Sequence, residues 1–268
     1  NSGSIGYLTM NDDSQIVNAS GDAYFGLHGT ATIVMNDNAV INHTTGSWLR
    51  IASGNGSNTT FTMNDASQIN SVGGYTVIGA EQGSTGALTM NGTSNITITS
   101  GDFAVGYNGT ATAVLNGSAS INHNTSNWFW ISRNTGTSSM TLNENSSVTT
   151  NAGNVNIGAD YEGDNISTGT LTLNDSATFD YVRSGGAIYI GRNSQGIGTL
   201  DINDSAAFTS ASNIIVASAS GSVGTVDLNG GTLTTPQIQG GSGTSTINLG
   251  GGGTLQASAS NTGFLQGF

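Results

Sequence analysis

Apolar and polar positions alternate along the whole chain in short runs, and helical spacing is absent throughout. Asn11, Asn36, Asn64, Asn91, Asn116, Asn143, Asn174, Asn203 and Asn229 each close a phrase of one type, from LTMN and IVMN to LDIN and VDLN. The intervals between them are 25, 28, 27, 25, 27, 31, 29 and 26 residues. Within each unit three segments alternate with period 2. One carries apolar residues three and one before the Asn, as in Leu8 and Met10. The next has a small residue three after the Asn and, in most units, a larger apolar one five after, as in Ala39 and Ile41. The third ends in an apolar residue followed by a small one, as in Ile78-Gly79 and Ile131-Ser132. Alternation of this kind predicts strands with one buried face. Three strands in each repeat of that length predict an all-β parallel β-helix of about nine to ten three-strand coils. At about 4.8 Å per coil, nine coils make a rod on the order of 45 Å long.

A longer repeat is superimposed on the first. Gly6–Gly56 and Gly86–Gly136 align without gaps at an offset of 80, with 25 of 51 positions identical. The chain therefore reads as one solenoid over 1–268, with duplicated three-coil blocks at 1–85 and 86–165 and looser coils at 166–268. The nine Asn are expected to form a ladder, turned inward at one corner and passing amide hydrogen bonds from coil to coil. The Asp or Gly that follows most of them suits a tight turn.

Composition narrows the function classes. Of 268 residues only 7% are charged, Cys is absent, Gly is counted 41 times, and the net charge is −12. The four cationic side chains are all Arg. So strong an acidity excludes a protein that neutralises nucleic-acid phosphates. No apolar run approaches the ~18 residues of a spanning helix. A cysteine-free acidic chain suits passage through an oxidising compartment.

The last coils resemble a known family. The stretch LNGGTLTTPQIQGGSGTSTINLGGGGTLQASASNTGFLQGF looks like the autotransporter-associated strand repeat, and GTLTLNDSA at Gly169–Ala177 is similar to repeats of the same proteins. The chain thus resembles passenger domains of bacterial autotransporters, in particular the AIDA-type self-associating adhesins. The resemblance implies a right-handed β-helix, export through the outer membrane by a separate translocator barrel, and display on the bacterial cell surface. Neither the barrel nor the autochaperone region is recognisable, so the chain reads as part of a passenger whose only link to a membrane is that barrel.

Candidate chemistry falls on the outward positions. Alternation in the third strand assigns outward pairs that include Asp22 and Tyr24, Trp48 and Arg50, Tyr75 and Val77, Asp102 and Ala104, and Trp128 and Trp130. An exposed aromatic stripe on a polar rod points to a ligand or partner. Tyr24, Trp48, Arg50, Tyr75, Trp128 and Trp130 are the candidate contact residues, either stacking on a glycan or serving as a protein hot spot. The competing reading is a strand register off by one, or a loop folded over the rings.

Asp12, Asp37, Asp65, Asp175 and Asp204 form an acidic column that reads as solvated turns, and a shared cation is the weaker reading. Asp160-Tyr161-Glu162-Gly163-Asp164 reads as a solvated loop. His28, His43 and His123 read as polar corner residues. No metal or cofactor is expected. The acids mostly lie at repeated turn positions and no distinctive pair breaks the pattern, which argues against glycoside hydrolysis. The expected function is adhesion, through a second copy on a neighbouring cell or through a host glycan or matrix protein. A carbohydrate-active β-helix enzyme and a passive stalk are the alternatives.

Overall fold

The computed structural model describes residues 3–44, 46–162 and 165–268. Among them the chain forms a parallel β-solenoid of ten coils, each contributing one strand to each of three ten-stranded sheets. The first coil shows the plan: Ile5–Met10 in the first sheet, Gln15–Asn18 in the second and Ala23–Phe25 in the third. Every strand pairs in parallel with its equivalent one coil away.

Register follows the phrase that ends in Asn. Met10, Met35, Met63, Met90 and Leu115 lie side by side across the first sheet, and the column continues through Leu142, Leu173, Ile202 and Leu228. All nine are buried in a hydrophobic cluster that runs along the rod axis. Each such side chain contributes about 1.5–3 kcal/mol on burial. A narrow cross-section thus needs few apolar residues per coil, which reconciles a stable core with a polar composition.

The corner after this column is built on two ladders. Asn36 Nδ2 donates to Asn11 Oδ1 at 2.7 Å, Asn64 to Asn36 at 2.7 Å and Asn91 to Asn64 at 2.8 Å. The pattern continues without interruption to Asn229, which donates to Asn203 at 3.2 Å. The rungs are half-buried at the corner rather than turned into the core, with the two ends exposed. The next residue adopts the left-handed conformation in coil after coil: Asp37 at φ 58°, Asp65 at 58°, Asp175 at 57°. Glu144 takes the same place at φ 60°. The acidic side chains reach back along the stack. Asp12 N–H donates to Asp37 Oδ2 at 3.1 Å, Asp37 N–H to Asp65 Oδ2 at 3.2 Å, and Asp175 N–H to Asp204 Oδ2 at 3.1 Å. These turn carboxylates are engaged by backbone amides, which are otherwise unpaired at a bend.

Two of the three histidines depart from the corner reading. His28 is exposed, but His43 and His123 are buried at 0% and 1% exposure at the ends of second-sheet strands. The period-2 alternation that buries Ile41 and Ile121 buries the residue two further on as well. His43 Nε2 donates to Ser47 O at 2.8 Å. His123 is tied to Gly101 O and Thr150 Oγ1 at 3.1 and 3.0 Å. Burial pulls its pKa down to about 4.

Candidate aromatic and arginine cleft

The third sheet positions the candidate residues with the expected register. Tyr24, Arg50, Val77, Ala104, Trp130, Asn156 and Tyr189 pair in sequence across its outer face, while Leu49, Phe103 and Phe129 point to the core. What fails is the exposure. Trp130 is 1% exposed, and Val77 and Ala104 are fully covered. Trp48, Tyr75 and Trp128 are half-buried, and of the expected contact rings Tyr24 alone is exposed, at 44%. The outer face carries a second hydrophobic cluster, in which Val77, Ala80, Ala104, Trp130 and Ala159 are packed under Trp48, Tyr75, Tyr107 and Trp128.

The cover comes from the turn after each third-sheet strand. The small residue that ends the strand phrase is left-handed: φ is 77° at Gly106, 60° at Ser132, 66° at Gly158 and 72° at Gly191. A positive φ reverses the chain at that point. The following residues, Tyr107, Arg133 and Arg192, are thereby set close to the rings of this face. Sequence reasoning missed these three and Tyr161 as contact residues, and it placed Tyr189 outward on the third strand without counting it among them. The available signal was their fixed place immediately after, or close to, the apolar-small pair.

Together these residues form a continuous aromatic and guanidinium network. Trp48 lies 4.6 Å from Tyr75 and 5.3 Å from Tyr107, centroid to centroid. Trp128 and Trp130 are 4.9 Å apart, and Tyr161 meets both edge-on at 5.4 and 5.5 Å. The Arg133 guanidinium sits 4.1 Å from the Tyr107 ring and 4.8 Å from that of Tyr161. Arg192 is held between Tyr189 and Trp128 at 4.3 and 4.9 Å, and it donates to Asn156 Oδ1 at 2.7 Å. Three of the four arginines of the chain are thus gathered on one face. Cation–π contacts in such a part-desolvated setting each contribute about 1–2 kcal/mol.

Two aspartates anchor the network, and the duplication makes them comparable. Trp48 N–H donates to Asp22 Oδ1 at 3.0 Å, and Trp128 N–H donates to Asp102 Oδ1 at 2.9 Å. The second oxygen is satisfied differently. Asp22 Oδ2 takes the Arg50 guanidinium at 3.0 Å, whereas Asp102 Oδ2 accepts the Trp130 indole N–H at 2.9 Å. The bond from Trp48 and the neighbouring guanidinium lower the Asp22 pKa, whereas burial raises that of Asp102. Arg50 also faces Glu81 at 3.4 Å, and Arg133 faces Glu162 at 3.9 Å.

Between these groups lies a cleft of about 230 Å³. Tyr75, Tyr107, Trp128 and Tyr161 wall it, with Asp102 and Arg133 beneath and Ser126 and Asn127 at the rim. The acidic segment expected to be a solvated loop therefore splits. Asp160 is 1% exposed, Tyr161 packs on the tryptophans, and Gly163 and Asp164 lie outside the described residues.

Another expectation fails on the first sheet, where one acid pair does break the repeat. Asp201 and Asp227 stand in register on adjacent strands, outside the turn positions. Thr172 Oγ1 donates to Asp201 and Asn248 Nδ2 donates to Asp227, at 3.3 and 2.6 Å. Burial and the neighbouring carboxylate raise the Asp201 pKa. The phrases LDIN and VDLN, with Asp where earlier units have Thr or Val, carried that signal. Among the described residues no group of three or more His, Asp or Glu is placed to hold a metal ion.

No family model and no curated protein matches the chain. Among solved structures it is similar to a TibC-catalysed, hyper-glycosylated fragment of TibA spanning residues 55–350. The identity is 15%, with 98% of this chain and 100% of that one covered, and the TM-score is 0.18. A likeness that loose carries neither fold nor function from one protein to the other.

Proposed function

We propose that this chain is an adhesion module of the bacterial cell surface, an exported passenger that binds through an outer face of its rod and catalyses nothing. The supporting observation is the aromatic and arginine cleft on the third sheet. Most outward positions of the first and second sheets hold Thr, Ser, Asn or Gln, which contribute little to a hot spot. Trp, Tyr and Arg are the residues that dominate recognition, and here they are held rigid on one face. Attachment follows from repetition, since weak contacts multiply when many rods are displayed on one cell. Its partner is either a second rod on a neighbouring cell or a glycan or matrix protein of a host surface.

The test is to display the rod on non-clumping cells, to measure their settling and their attachment to glycan- and matrix-coated surfaces, and to sediment the purified protein over a wide concentration range. Clumping together with concentration-dependent dimers supports the self-association branch. Attachment by a monomeric rod supports the host-surface branch. Cells that neither clump nor attach would overturn the adhesin reading in favour of a stalk.

A further inference from the structure

We infer that the cleft between Tyr107, Trp128 and Tyr161 is a binding site for a neutral saccharide ring; this rests on the adhesin reading and names the ligand for it. Three observations carry the inference.

The first is preorganisation. Trp130 is fixed by its indole N–H on Asp102 Oδ2, and Trp128 by its backbone N–H on Asp102 Oδ1. Tyr161 is clamped edge-on against both indoles, and Arg133 holds Tyr107 and Tyr161 from between. Walls already ordered in the free protein do not have to be immobilised when a ligand enters.

The second is chemistry. A pyranose offers C–H groups on its faces and hydroxyls around its edge, so it fits aromatic walls with polar groups at the rim. Tyr75, Tyr107 and Tyr161 line this recess, and their hydroxyls make no hydrogen bond to any described residue. Exposed Ser126 and Asn127 stand at the mouth. Charge disfavours an acidic sugar. The Arg133 guanidinium is matched by Glu162 and by Asp102 below, in a chain of net charge −12.

The third is the divergence of the two duplicated blocks. At the offset of 80, Asp22 and Trp48 match Asp102 and Trp128 and keep the same hydrogen bond. The wall residues do not repeat. Leu27 and Ser53 stand where the second block has Tyr107 and Arg133, and past a one-residue gap Gln82 of IGAEQ stands where IGADY has Tyr161. The shared aspartate–tryptophan bond belongs to the repeat, whereas Tyr107, Arg133 and Tyr161 are set around it in the second block alone.

The experiment uses the intact rod. Methyl glucoside, methyl galactoside and methyl mannoside are presented singly, with N-acetylneuraminic acid as the acidic comparison, and read by saturation-transfer NMR and tryptophan fluorescence. Saturation of the ring C–H protons of at least one neutral glycoside is expected, with little or none on the acid. Tyr161→Ala and Asn127→Ala should each weaken binding about tenfold or more. Tyr24→Ala, an exposed ring of the first block outside the cleft, should leave it unchanged. Asn127 lies at the exposed rim, so that variant stays informative if the loss of Tyr161 disturbs the local packing. Absence of neutral-glycoside binding, preference for the acid, or undiminished binding by Asn127→Ala and Tyr161→Ala overturns the site. If the glycosides fail while displayed rods still attach or clump, the saccharide inference falls and the adhesin reading stands. If displayed rods do neither, both fall.

Discussion

Acidification should destabilise the rod through His123. In an unfolded chain this imidazole titrates near 6.5, whereas in the fold burial holds it at about 4. Both ring nitrogens are occupied, by Gly101 O and Thr150 Oγ1. Between those two values the unfolded state binds a proton that the folded state refuses, so stability rises with pH across the window. The contribution is fully present above about 6.5 and is lost as the pH falls towards 4, about 3 kcal/mol in all. At about pH 5 some 2 kcal/mol of it should already be gone. Urea unfolding of the wild type and of His123→Gln at about pH 7.5 and pH 5 isolates the effect, because other titrating groups act on both proteins alike. The wild type should lose about 2 kcal/mol more than the variant over that interval. NMR of the ring nitrogens should show His123 still neutral at about pH 5. Equal losses in the two proteins, or a folded His123 that protonates near 6.5, would refute the reasoning.

Other substitutions probe separate parts of the structure. Trp130→Ala should cost about 3–5 kcal/mol in chemical denaturation, because it empties a covered position and strips Asp102 of a donor. Ser67, Ser94 and Ser146 are fully buried, and their hydroxyls meet no partner among the described residues. Each Ser→Ala should therefore be neutral or raise stability by up to about 1 kcal/mol, as a urea midpoint will show. Gly158→Ala should destabilise by about 2 kcal/mol or more. Its φ is +66°, and a Cβ there would lie 1.8 Å from the Ile197 carbonyl oxygen. Asp201→Asn should raise stability at neutral pH by relieving the carboxylate pair, with the gain vanishing in acid as Asp201 takes up its own proton; a urea series across pH reads it.

Much of the architecture was legible because a solenoid repeats one local decision. Period-2 alternation fixed which residues of each strand face inward, down to Phe103 and Phe129 against Ala104 and Trp130. The Asn spacing fixed the coil length, and the residue after the Asn marked the left-handed turn. His43 and His123 read as corner residues by their polarity, yet the same alternation runs through them and buries both.

The candidate site was only half legible, and the reason is the stacking itself. A sequence determines side-chain direction within a strand, so it told which rings leave the core of the solenoid. It does not tell what the neighbouring coils place over them. Tyr161 reaches Trp130 from a residue 31 positions later, and Arg133 reaches Tyr107 from one 26 positions later. Those distances collapse to a few ångströms only when coils pile up at about 4.8 Å and a left-handed residue turns the chain back over the sheet. The sequence by itself determined the coil, its register and its core. The tertiary structure alone decided that the expected open stripe is a packed aromatic cluster enclosing a cleft, because burial on an outer face depends on neighbours remote in the chain.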